Sequence, residues 1–62
     1  MNSKVVINKN LVFKNAIYAT TAGNNVVVQD IMGASKEFKN HTIKEVNITK
    51  EQLILSPTKT QN

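Results

Sequence analysis

The chain has 62 residues, with eight lysines and no arginine, four acidic residues, no cysteine and a net charge of +4. A chain of this length buries only about 60% of the surface it exposes when unfolded, so it holds one core and excludes both a second domain and the deep cleft of most enzymes. Hydrophobic residues make up 40% of it, and no disulfide supplements them. A homo-oligomer, most simply a homodimer, is the expected route to enough buried area.

Short β-branched runs separated by Asn and Gly, with no sustained helical apolar stripe, predict an all-β chain. The first strand covers Lys4 to Ile7 with Val5 and Ile7 on one face, and Asn8-Lys9-Asn10 forms a polar turn. A second strand runs from Leu11 to Ala19, where Leu11, Phe13, Ile17 and Ala19 share a face and Asn15 marks a bend or bulge. Residues Thr20 to Asn25, around Gly23, make the clearest hairpin loop. In the third strand, Val26 to Ile31, Val26 and Val28 face the core and Ile31 falls out of phase. Gly33 in Gly33-Ala34-Ser35 supplies a left-handed residue for the next turn, and Asp30 beside it bonds side chain to backbone.

A fourth strand, Glu37 to Ile48, places Phe38, Ile43, Val46 and Ile48 so that they cannot all face one side. A bulge or sharp bend near Ile43-Lys44-Glu45 resolves the conflict. Thr49-Lys50-Glu51 turns into a fifth strand, Gln52 to Leu55, with Leu53 and Leu55 pointing together. The expected organisation is a single domain over residues 1–56 with a polar, disordered tail over 57–62. The expected architecture is a small, partly open, five-stranded antiparallel barrel of the SH3-like or Sm-like kind, with a flat meander paired across a dimer as the other arrangement.

Three segments carry a family resemblance. They are Val26-Val27-Val28-Gln29-Asp30-Ile31-Met32-Gly33, the charged Lys36-Glu37-Phe38-Lys39 leading to Ile43-Lys44-Glu45-Val46-Asn47, and the closing Gln52-Leu53-Ile54-Leu55. Lys4-Val5-Val6-Ile7 fits as an opening strand. With these the chain resembles the CooT family, small nickel-binding proteins also described as predicted RNA-binding proteins. The resemblance implies a dimeric, non-enzymatic β protein linked to nickel in carbon-monoxide-using microbes. It also implies an early cysteine from each subunit at a shared metal site and a nickel-enzyme maturation partner.

Asn2 stands where that cysteine is expected. A thiolate is a charged, soft ligand suited to nickel, whereas a neutral carboxamide is a poor one unless its nitrogen loses a proton. A site at this end would rely on the α-amino group and the backbone amides of Met1 and Asn2, so the nickel site is expected to be impaired or altered.

The remaining candidates are sparse. His41 is the single imidazole, which a dimer axis could bring beside Glu37 or Glu45, although a lone histidine is more often a solvated loop residue. Asp30, Glu37, Glu45 and Glu51 are too dispersed for an acid–base pair, and Ser3, Ser35 and Ser56 have no local base. Catalysis is not expected. The alternative function is an Sm-like RNA-binding module, in which Tyr18 stacks on bases and Lys36, Lys39 and Lys44 meet phosphates. Lysines without arginine disfavour sequence-specific readout, and such lysines also serve any soluble β protein by blunting its strand edges. A third reading is a structural module that pairs through an exposed strand edge. Without a signal-peptide apolar stretch or a membrane-spanning run, a cytoplasmic protein is the expectation.

Overall fold

The computed structural model describes residues 2–58. Every regular element in it is a strand: β1 (Ser3–Ile7), β2 (Asn10–Ala22), β3 (Asn25–Asp30), β4 (Ser35–Lys39), β5 (His41–Asn47) and β6 (Gln52–Pro57). They form one sheet in the order β4-β3-β2-β1-β6-β5, antiparallel throughout except that β1 and β6 run parallel. The all-β expectation therefore holds, with six strands in place of five. Among the described residues no helix is long and apolar enough to cross a membrane.

The turns follow from residues that tolerate the left-handed region. Asn8 and Lys9, with φ of 52° and 66°, close a two-residue hairpin between β1 and β2, and Gly23, with φ of 61°, begins the loop into β3. Positive φ at both central positions matches the right-handed strand twist. Gly33 adopts φ of 92°, as its place in the sequence predicts. Asp30 caps that turn, its Oδ1 accepting the amides of Met32 and Ala34, each at 2.9 Å. At the β5–β6 turn Asn47 Oδ1 accepts the Lys50 amide at 2.9 Å.

The expected fourth strand is in fact two. Asn40, with φ of 60°, breaks it into β4 and β5, which lie at opposite ends of the hydrogen-bonding order. Residues flanking a single linker can be no more than about 7 Å apart, so the sheet must roll until its two edges meet at this corner. His41 donates its amide to the Asn24 carbonyl at 3.0 Å and Thr58 donates to the Asn40 carbonyl at 2.9 Å, which pins the meeting point. No ladder joins β4 to β5 along their length, so the roll stays open. The bulge expected near Ile43-Lys44-Glu45 is present, as a register shift between Ile43 and Glu45 opposite β6.

The inside of the roll holds Val5, Ala16, Val26, Val28, Phe38, Leu53 and Leu55, with Ile7, Val12, Phe13, Ala19 and Ile43 packed against them. Full burial of a Val or Leu side chain contributes about 1.5–3 kcal/mol. On β2 the expected face is only half right: Phe13 and Ala19 pack inward, but Leu11 and Ile17 are each half exposed and Ala16 is buried instead. The cause is Asn15, with φ of 61°, together with register shifts on both sides of it, which reverse the alternation. β6 continues two residues beyond the expected end of the last strand, so Pro57 is paired with His41 and Thr58 is bonded at the corner. The rest of the expected tail, residues 59–62, lies outside the described residues.

Candidate functional site

Asn2 is exposed and immediately precedes β1. Lys4 donates its amide to the Glu51 carbonyl at 2.8 Å, so the start of β1, with Asn2 before it, is tied to the β5–β6 turn. Met1, the other expected ligand, lies outside the described residues. Among the described residues no three His, Cys, Asp or Glu side chains gather where they could hold a metal ion. The chain has no cysteine, so none of its side chains is a thiolate donor, and Asn2 carries a neutral carboxamide.

The acids are occupied with structure or stand apart. Asp30 caps its turn, and Glu37 Oε2 accepts the side-chain amide of Asn25 at 2.9 Å. His41 is half-buried at the corner, its Nδ1 2.9 Å from the Lys39 carbonyl and its ring edge-on to Phe38 with centroids 6.3 Å apart. A carbonyl only accepts, so Nδ1 is the donor in that bond. The imidazole thus serves to secure the corner.

The four residues expected at a nucleic-acid surface are not gathered into one. Tyr18 is 57% exposed and pairs with Gln29, while Lys39 pairs with Asn25, so the two share the outer face of β2, β3 and β4. Lys36 pairs with the buried Val28 and belongs to the opposite side, where its Nζ lies 5.7 Å from the Phe38 ring centroid. Lys44 rides on the β5 bulge and turns into a groove over β1 and β6.

That groove is the feature the sequence pattern does not disclose. Val6 pairs with Leu11 on β2 and with Ile54 on β6, so three apolar side chains form one row across three strands on the outside of the roll. Lys4, Lys9 and Lys44 line the same groove, and no Asp or Glu does. Glu45 continues the row on β5, opposite Ile54. Alternation alone marks Val6 and Ile54 as outward residues; only the pairing of β1 with β6, at opposite ends of the chain order, makes them neighbours.

Residues 2–56 match the family model described as CO dehydrogenase accessory protein CooT. The chain belongs to the CooT family. No curated protein matches it. CooT is thereby the source of an accessory role, tied by its description to CO dehydrogenase. Within this CooT-family chain the matched span begins at Asn2 and takes in all of β1 to β5 and most of β6.

Proposed function

We propose that the chain is a non-enzymatic accessory protein in the maturation of a nickel enzyme, acting as a homodimer, with an amino-terminal nickel site weakened by Asn2. The observation that carries the reading is the position of Asn2: exposed, at the first matched residue of an accessory-protein family, and next to a strand anchored by the Lys4–Glu51 bond. A residue so placed is free to meet its symmetry mate, and a neutral side chain there leaves the backbone amides and the α-amino group as donors. The non-enzymatic part of the reading rests on the family's description as an accessory protein.

The test is a nickel titration of the unaltered chain beside its Asn2→Cys variant, with the mass of each in solution. Tight nickel binding by the cysteine variant, weak binding by the unaltered chain and a dimeric mass for both are the expected results. A variant that binds nickel no better than the parent, or a monomer at high concentration, would sink the reading. The RNA alternative retains one favourable observation, the exposed Tyr18 and Lys39 on one face. It requires salt-sensitive binding of single-stranded RNA that is lost on Lys39→Glu together with Lys44→Glu.

A further inference from the structure

We infer that the outer groove over β1 and β6 is a docking site for an acidic segment of a partner protein that carries apolar side chains between its carboxylates. The inference rests on the accessory-protein reading for the existence of a partner, and on the groove itself for that partner's chemistry. Its floor is the Leu11–Val6–Ile54 row, set by the register of three adjacent strands and therefore rigid. Leu11 stands 49% exposed at one end of it. Lys4, Lys9 and Lys44 line the groove around the row, the last placed there by the β5 bulge, and no acid lines it, although Glu45 stands opposite Ile54 on the rim strand and Glu51 adjoins the Lys4 end.

Three occupants are distinguished by chemistry. A second copy of the chain in a two-fold contact would set these three lysines against their own counterparts, a like-charge arrangement that opposes association. A nucleic acid would satisfy the lysines but leave the aliphatic row uncovered, for no aromatic side chain lines the groove to stack on a base. An acidic segment with Leu, Ile or Val between its carboxylates satisfies both parts at once: the apolar side chains cover the row and the carboxylates meet the ammonium groups around it. Steering by the net charge of +4 favours the same partner.

The experiment uses the full chain, labelled for amide chemical-shift mapping, and three probes: a blocked peptide of alternating Glu and Leu, the same peptide with Gln for Glu, and a uridine oligonucleotide. The Glu-Leu peptide is expected to shift Val6, Leu11 and Ile54, with binding weaker by about tenfold for the Gln peptide and for Lys4→Gln combined with Lys44→Gln. Leu11→Ser, at a half-exposed position, is expected to weaken it with the fold intact by circular dichroism. Four outcomes overturn the proposal: no shift, shifts confined to the Tyr18 face or the β5 edge, equal binding of the oligonucleotide at the groove, or groove shifts produced by concentrating the protein alone. Failure here with nickel binding restored in Asn2→Cys removes the groove and leaves the accessory reading. Peptide binding without any nickel response removes the metal part and leaves the groove.

Discussion

The side-chain oxygen of Asn25 accepts the backbone amide of Asn40 at 3.2 Å, joining the start of β3 to the residue that carries the chain from one sheet edge to the other. Asn25 also donates its side-chain amide to Glu37 at 2.9 Å, so one carboxamide links the corner to β4. The roll of the sheet depends on this corner because Asn40 is the only linker between β4 and β5.

Asn40→Val is expected to lower stability by about 1–2 kcal/mol, since a β-branched side chain is strained at φ of 60°. Asn40→Gly keeps the backbone bond to Asn25 and relieves the strain, so it should remain within about 0.5 kcal/mol of the parent. Urea denaturation of the three proteins checks the order.

Asp30→Ala removes the acceptor of two amide bonds at the β3–β4 turn and is expected to cost about 1–3 kcal/mol. Met32, 87% exposed at that same turn, provides the contrast: Met32→Ser should change stability by less than about 0.5 kcal/mol. Equal losses from both substitutions would contradict the capping role of Asp30.

Leu55 is 1% exposed at the centre of the core, paired with Ile7 on β1 and Ile43 on β5. Leu55→Ala is expected to cost about 2–5 kcal/mol. A domain of this length has only about 3–9 kcal/mol in total, so a substantial unfolded population should appear in the amide spectrum at room temperature.

Ala16 is 4% exposed where the β2 alternation reverses, and it pairs with Ser3 and Asp30. Ala16→Leu is expected to destabilise by about 1–3 kcal/mol through overpacking. The parallel change Ile17→Leu, at a half-exposed position, should be near neutral by thermal melting.

Local chemistry made much of the fold legible. Val5, Val26, Val28, Leu53 and Leu55 alternate with polar or outward residues and all proved to be core. Gly33, Asp30 and the Asn8-Lys9 turn act at the positions their residue types predict. The break at Asn40 had a signal in the tolerance of Asn for the left-handed region, but the strand propensity on both sides masked it. The phase of Leu11, Ala16 and Ile17 was not legible, because the alternation changes phase at Asn15 and again between Ala16 and Tyr18, and where such shifts fall is set by the pairing with the partner strands.

For the candidate site, the sequence alone determined the carboxamide at Asn2, the absence of cysteine and the lysine-only positive charge, because these are properties of single residues. Tertiary structure decided which of those charges act together. Pairing of β1 with β6 gathers Lys4 and Lys44 around Val6 and Ile54, while the pleat sends Lys36 to the opposite side from Lys39. Such neighbours are far apart along the chain, and only the register of the rolled sheet brings them into contact.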